Sequence, residues 1–293
     1  MELMQLYYFQ VIAKHQNITR AAEELNVSQP AVSTVLQRLE KSIDAQLFDR
    51  QNRTIVLNDV GRTFLRQVNS ILLEVDNAQK EIEMMKDQED GEIFMSVTSP
   101  QFLQGTEEFL HDHPHTKWRQ GVHGVAEITE QLENGDIDVA ITSPGIYRKN
   151  FVSTVLLRDE FLVGMSKNHH LAKQKKVTLE QLAHEKFVLL LKGMPYRNQT
   201  DQLFMNIGFE PDIAMECDHV LRKELLKLNA GVTIASKAIQ FRHLYDEDTV
   251  FLPIEGARMT REIVLVYRKN KLLSKTTNSF IDFLTEYYHR DKI

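Results

Sequence analysis

The stretch Ile18-Thr19-Arg20-Ala21-Ala22-Glu23-Glu24-Leu25-Asn26-Val27-Ser28-Gln29-Pro30-Ala31-Val32-Ser33-Thr34-Val35-Leu36-Gln37 decides the fold of the N-terminal part. Two helices that cross steeply need small side chains where they touch, and Ala21 and Ala22 supply them. Apolar anchors are needed on both sides of the turn, and Leu25, Val27, Val32 and Val35 stand there. The turn needs a residue that accepts a left-handed backbone, and Asn26 is among the few non-glycine residues that do so readily. Ser28 then reads as the N-cap of the second helix. Pro30 falls in its first turn, where a missing N–H costs nothing. Together these residues predict a helix-turn-helix of DNA-binding geometry. The second helix would expose Gln29, Ser33, Thr34, Gln37 and Arg38, side chains of the kind that read base edges or hold phosphates.

On the N-terminal side, Leu6, Phe9, Val11, Ile12 and Ala13 follow the spacing of one buried helix face. On the C-terminal side, Leu47-Phe48-Asp49-Arg50-Gln51-Asn52-Arg53-Thr54-Ile55-Val56-Leu57 reads as two short strands around a polar turn. Residues 59–88 read as one long helix. Phe64, Val68, Ile71, Val75, Ala78, Ile82 and Met85 recur at alternating steps of four and three. A globular helix against its own core also shows such a stripe, but its length and narrowness on an otherwise charged helix favour the a/d seam of a helix that pairs with another chain. Lys86-Asp87-Gln88-Glu89-Asp90-Gly91 reads as a helix end and hinge. Beyond it, strand patterns at 92–98, 137–141, 161–165, 187–191 and 263–267 alternate with helical ones, which argues for parallel-type α/β sheets in two small lobes.

Composition narrows the function classes. The chain has 293 residues, 42% hydrophobic and 26% charged, which fits a folded protein of about two domains. Its net charge of −6 excludes a polycation that binds nucleic acid by charge alone. The first 60 residues carry six Lys or Arg against seven acids, so DNA affinity would rest on few contacts per subunit and on multivalency. One cysteine, Cys217, excludes a disulfide framework within the chain and a multi-cysteine metal site. The N-terminus lacks the basic-then-apolar pattern of a signal peptide. Aliphatic and aromatic runs reach about five residues where a membrane span needs about 20. A soluble, cytoplasmic protein is the expectation.

The residues quoted above resemble the winged helix-turn-helix and linker helix of LysR-type transcriptional regulators. The resemblance rests on the run from Ala21 to Ser33, followed by Arg38-Leu39-Glu40 and Leu47-Phe48-Asp49-Arg50, with Leu57-Asn58-Asp59-Val60-Gly61 similar to the family's wing-to-linker junction. It continues through Leu132-Glu133-Asn134-Gly135-Asp136-Ile137-Asp138-Val139-Ala140-Ile141, His169-His170-Leu171-Ala172 and Asn229-Ala230-Gly231-Val232-Thr233-Ile234. It implies an α+β multidomain fold. A winged helix-turn-helix DNA-binding domain (1–58) precedes a dimerising linker helix (59–88). A two-lobed α/β effector-binding domain (91–293), like a type 2 periplasmic binding protein, completes it. Lobe I would be 91–160 with 267–293 and lobe II 161–266, hinged at 158–161 and 266–269.

The resemblance also implies a homodimer or homotetramer that binds an interrupted palindromic operator in double-stranded DNA. A small-molecule effector would alter lobe geometry and thereby promoter binding or bending. The candidate DNA-contacting set is Thr19, Arg20, Ser28, Gln29, Pro30, Ser33, Thr34, Gln37 and Arg38, with Arg50 and Arg53 at the wing for phosphate or the minor groove. Thr34 departs from the Arg or Lys that the family very often places there, which removes one strong phosphate or guanine contact. Candidate effector residues follow strand ends: Thr98, Ser99, Pro100 and Gln101 after the first strand, Thr142 after the second, and Met194, Pro195 and Arg197 in the other lobe. Arg197 would pair with a carboxylate or phosphate of an anionic effector. Val125 stands where the family often has Ser or Thr after Gly124, which weakens the simple carboxylate picture.

His111-Asp112-His113-Pro114-His115 has the look of a metal tract, but the family places a helix end and solvated loop there. Cys217-Asp218-His219 juxtaposes a thiol and a base, yet adjacent positions do not put them in reacting geometry. There is no Walker loop, no GxGxxG after a strand and no HExxH, so no cofactor, metal or catalytic residue is expected. The rival readings are a cytoplasmic solute-binding module without specific DNA binding, and an enzyme that loses turnover on Cys217→Ala. Both leave the Ala21–Ser33 pattern without a reason.

Overall fold

Two compact units make up the chain, one from the residues before 90 together with 133–136 and 270–274, the other from the remainder. The computed structural model describes residues 1–51, 54–85, 91–237, 247–255 and 260–290.

In the first unit, α1 (Leu3–His15) runs to Gln16, which takes a left-handed φ of 44°. Asn17 then caps α2 (Ile18–Glu24), its side-chain oxygen accepting the N–H groups of Thr19 at 2.9 Å and Arg20 at 3.1 Å. Asn26 turns the chain at φ 53°, as its position in the pattern predicts. Ser28 holds the N-cap position of α3 (Gln29–Ile43), but its hydroxyl makes no cap bond. The core joins Phe9, Ile12, Ala21, Ala22, Val32 and Leu39, all buried. Phe9 lies 5.6 Å from Phe48 and 5.2 Å from Phe64, centroid to centroid.

The wing is an antiparallel pair, β1 (Phe48–Gln51) with β2 (Thr54–Leu57), in which Arg50 sits opposite Ile55. The side chain of Arg50 and the whole of Arg53 lie outside the described residues. Asn58 ties the wing to α4 (Asp59–Met85), donating to the Gln46 carbonyl at 3.0 Å and accepting from the Gly61 N–H at 2.8 Å. A Cβ at Gly61 would lie 2.1 Å from the Leu47 carbonyl oxygen, so this approach admits only glycine. At 27 residues, α4 is about 40 Å long. Residues 86–90 of the expected hinge lie outside the described residues.

The apolar stripe on α4 divides. Phe64 and Val68 pack into the core of their own chain, with Val68 fully buried, so these two do not belong to a seam for another chain. Ile71, Ala78 and Ile82 are exposed and Val75 is half-buried, while the Met85 side chain lies outside the described residues. A third face of α4 is polar and local to this unit. Asn69 accepts from Gln10 at 2.9 Å and donates to Asn134 at 2.7 Å, and Asn77 donates to the Asn270 carbonyl at 2.8 Å.

The second unit is a mixed rather than purely parallel α/β structure. β3 (Glu92–Val97) pairs in parallel with β4 (Lys117–Val122) and with β5 (Val139–Thr142). β11 (Thr260–Arg268) runs antiparallel to β5, and the long β6 (Phe151–Ser166) runs antiparallel to β11 on its other side. β6 serves both lobes. Its first part pairs with β11, and its last part with β9 (Thr233–Ser236) and β10 (Thr249–Pro253). The change of partners along β6 falls between Glu160 and Phe161. The second lobe crossing does not fall at 266–269. β11 is already paired with the first part of β6 from Thr260 (opposite Glu160) and keeps that partner to Arg268, with one register shift between Ile263 and Val264.

Helices cover these sheets. α5 (Thr106–Asp112), α6 (Val125–Asn134) and α10 (Lys275–Arg290) belong with lobe I. α7 (Leu179–Leu182), the parallel pair of β7 (Lys186–Leu190) and β8 (Asp212–Cys217), α8 (Pro195–Asn206) and α9 (His219–Lys227) belong with lobe II. No helix among the described residues is long and apolar enough to cross a membrane.

Candidate functional sites

The helix-turn-helix presents a polar face. Thr19, Arg20, Ser28, Gln29, Pro30, Thr34, Gln37 and Arg38 are exposed, and Ser33 is half-buried beside them. They surface because the opposite side of the helix pair is spent on Ala21, Ala22, Val32 and Leu39, so burial of one stripe leaves the other for solvent. Thr34 donates its hydroxyl hydrogen to the Pro30 carbonyl at 2.9 Å, which leaves it an acceptor only. Behind the face, Glu40 is buried and accepts the Leu47 N–H at 2.8 Å, fixing the helix to the wing. Sequence reasoning overlooked Asn17 and Glu40, although an Asn immediately before an apolar-periodic helix is a cap signal.

In the second unit, the strand ends of lobe I carry Thr98, Ser99 and Thr142, all buried, with Pro100 and Gln101 opening a short 3-10 helix. Thr98 Oγ1 accepts the Ser143 N–H at 3.0 Å, which welds the ends of β3 and β5 together. Thr142 Oγ1 and Ser143 Oγ are buried with no hydrogen-bond partner among the described residues. From lobe II, the Gln199 amide donates to the Ser143 carbonyl. Arg261 Nη1 donates to Gln199 Oε1 at 2.9 Å and Arg261 Nε to Asp159 Oδ2 at 2.9 Å. Ser236 also donates to Asp159. The Arg261 guanidinium lies 5.4 Å from the Phe102 ring, 5.5 Å from Phe161 and 5.0 Å from Tyr196.

The structure thus brings Thr98, Ser99 and Thr142 together and leaves other expected residues apart. Val125 packs into the lobe I core and Met194 against the lobe II core, with Pro195 half-buried at the start of α8. Arg197 is buried and its charge is already used. Its guanidinium donates to Asp201 at 2.6 Å, to the Leu190 carbonyl at 2.6 Å and to Glu216. Burial opposes its charge, but the bonds to Asp201 and Glu216 outweigh this and raise its pKa. The same pairing holds the Glu216 carboxyl below the usual carboxylate range. Arg197 therefore anchors α8 to β7 and β8 and is not a free receptor for an anion. Gln199, Asp159, Arg261 and Phe102 were absent from the expected set. The partners of Arg261 lie about 60 and 100 residues away in sequence, and no local pattern couples them.

The two other constellations do not converge on chemistry. His111 pairs with Asp112 on the surface, while His113 stacks on Phe109 at 4.1 Å, so the histidine tract does not close around one point. Cys217 is buried, and burial pushes its thiol pKa up, away from the reactive thiolate. His219 is held neutral, its pKa brought down to about 4 by burial and the nearby Arg222 guanidinium.

The geometry can be set against known proteins. Residues 3–62 match the model for the bacterial regulatory helix-turn-helix protein of the lysR family, and residues 92–288 match the LysR substrate binding domain. The transcriptional dual regulator GltC of Bacillus subtilis is 29% identical over 99% of this chain and 98% of its own. The uncharacterized regulator YybE of the same organism is 27% identical over 98% and 99%. A full-length OxyR variant from Pseudomonas aeruginosa shares the fold with a TM-score of 0.72 at 19% identity, over 99% of this chain and 95% of that one. CbnR in complex with its target DNA aligns with a TM-score of 0.57 at 22% identity, over 98% and 99%. These relatives are regulators, not enzymes. With both halves matched in order and nearly the whole length covered, the chain belongs to the LysR family of DNA-binding transcription regulators, with an N-terminal helix-turn-helix and a C-terminal effector-binding domain.

Proposed function

We propose that this regulator reads an interrupted palindromic operator by placing α3 of each subunit in a major groove. Gln29, Pro30 and Ser33 meet base edges, with Thr34 beside them as an acceptor, and Thr19, Arg20, Ser28, Gln37 and Arg38 hold the phosphate backbone. Arg50 and Arg53 contribute at the wing. The observation that carries this reading is the exposed polar face of a helix whose opposite stripe is buried. Thr34 in place of a cation leaves fewer charge contacts per subunit, so affinity comes from linked copies. The exposed Ile71, Ala78 and Ile82 on α4, with Val75 half-buried beside them, supply an apolar edge for pairing with a second copy. The protein acts in the cytoplasm.

The effector binds between the lobes at Thr98, Ser99, Thr142 and Ser143, facing Gln199. The buried, unpartnered hydroxyls of Thr142 and Ser143 favour a ligand with hydrogen-bonding groups. Arg197 and Arg261 are both neutralised by carboxylates, so the reading no longer leans on an anionic group. Ligand binding there would change the Gln199 bridge between lobes and shift the regulator between two operator-bound geometries.

The test is to incubate purified protein with fragmented genomic DNA of its source, recover the bound fraction at about 150 mM salt, where purely electrostatic binding is suppressed, and sequence it. Enrichment of a few sites with two spaced half-sites supports the reading. No enrichment, with and without cell metabolites, sinks it and leaves solute binding as the function of the second unit.

A further inference from the structure

His169 and His170 lie in the loop after β6, and Glu185 stands one residue before β7. His169 Nε2 is 3.2 Å from Glu185 Oε2, and His170 Nε2 is 3.1 Å from Glu185 Oε1. All three donor atoms fall within 4.8 Å of one another, the arrangement among the described residues that is able to hold a metal ion. A tetrahedral ion with bonds of about 2.05 Å separates its ligand atoms by roughly 3.3 Å, and each ring nitrogen stands near that distance from a different oxygen of the Glu185 carboxylate. We propose that His169, His170 and Glu185 form a site for a borderline-soft divalent cation of the zinc type, which clamps the loop after β6 onto the start of β7.

The donor set selects the cation. Two imidazole nitrogens and one carboxylate suit Zn2+ or Co2+ and exclude Mg2+ and Ca2+, which take oxygen ligands. The scaffold holds the ligands in place from both sides. Leu171, next to the histidines, and Phe187, two residues after Glu185, are both buried in the lobe II core. The His169 and Glu185 side chains are 6% and 13% exposed, so two ligands are fixed, while His170 at 69% faces solvent and leaves an open side for entry. The carboxylate already gathers both rings, whose centroids are 4.5 Å apart.

One feature limits affinity. The Leu171 N–H donates to His169 Nδ1 at 3.3 Å, so the ring proton sits on Nε2, pointing at Glu185. A cation at Nε2 moves that proton to Nδ1 and breaks the bond to Leu171. Binding is therefore weaker than at a structural site with four ligands whose second shell is satisfied.

The experiment uses the untagged full chain. Co2+ is titrated and followed by its visible absorption, then displaced with Zn2+, and Zn2+ binding is read by calorimetry and thermal shift. One equivalent with tetrahedral cobalt bands and a rise in Tm with Zn2+ is expected. The exposed position of His170 lets His170→Ala keep the fold, and it should weaken binding by roughly tenfold or more and abolish the bands. Glu185→Gln should do the same, whereas His111→Ala should bind like the wild type. Unchanged affinity and bands in His170→Ala, or no Zn2+ binding by the wild type, overturns the proposal.

Discussion

On α3, Gln29, Thr34, Gln37 and Arg38 stand in solvent, whereas Asp159 and Arg261 between the two lobes are buried and bonded to each other, and Arg261 also to the half-buried Gln199. The α3 face is made by default. One stripe of the helix is consumed by the core, and what remains is polar because those positions carry no burial demand. The interlobe face is made by long-range pairing, with Arg261 bound to Asp159 and Gln199 from two other elements. Substitutions should therefore act in opposite ways. Those on α3 should cost DNA discrimination and little stability, and those at the interlobe pairs should cost stability first.

The largest effect tests the buried side of this contrast. Asp159 and Arg261 have side chains only 1% and 7% exposed. Asp159→Ala strands the guanidinium with Gln199 and three aromatic rings but no counter-charge. Loss of one partner of a buried pair costs about 3–5 kcal/mol. Urea unfolding of Asp159→Ala should show a loss of that order. The double variant Asp159→Ala/Arg261→Met should recover much of it, because the stranded charge is gone. A loss below about 1 kcal/mol in the single variant, the range of an exposed pair, would mean that solvent reaches the pair.

The same contrast decides how much could be read without the fold. The helix-turn-helix was legible because its determinants are contiguous: Ala21, Ala22, Asn26, Pro30 and Val32 fall within a dozen residues and depend on local backbone chemistry. Gly61 and Asn58 were legible as a junction, though not the reason, which is the approach of α4 to the Leu47 carbonyl. The α4 stripe was misread in part. A period of three and four identifies an apolar face, but it does not say whether α1 of the same chain or another chain covers it, and Phe64 and Val68 meet α1 and the wing. In the C-terminal unit, Thr98 and Thr142 were drawn from the rule that ligands meet strand ends, and the fold brings those two residues close together. Arg197 was drawn from the same rule, which carries no information about Asp201 and Glu216 already holding it. The second lobe crossing was misplaced because β11 reads as one apolar run whichever sheet it joins.

The intermediate effect tests the exposed side. Gln29→Ala should weaken specific operator binding by about 1–3 kcal/mol, the usual cost of one base-reading contact. It should leave the urea midpoint unchanged, since the side chain is exposed. Competition between operator and random DNA, with unfolding measured on the same preparation, separates the two. Unchanged discrimination would remove Gln29 from the readers, and a lowered midpoint would blur the distinction between the two faces.

The smallest effect comes from a side chain that belongs to neither face cleanly. His219 is half-buried at the start of α9, with its Nδ1 3.4 Å from Arg222 Nη2. Burial and that guanidinium bring its pKa down to about 4 from the usual 6.5. The folded state thus resists protonation that the unfolded chain accepts. Its contribution to stability is complete above about pH 6.5 and drains away as pH falls toward about 4, because there the unfolded state binds the proton and the folded state does not. Solvent on the exposed part of the ring reduces the size of this loss, which places it below the other two. His219→Gln removes the titration and keeps a polar side chain beside Arg222. Urea midpoints taken between pH 7 and pH 5 should fall less steeply in the variant than in the wild type. Parallel lines would show that the ring is solvated enough to titrate normally, and that the partly exposed edge of lobe II behaves, electrostatically, like the surface of α3.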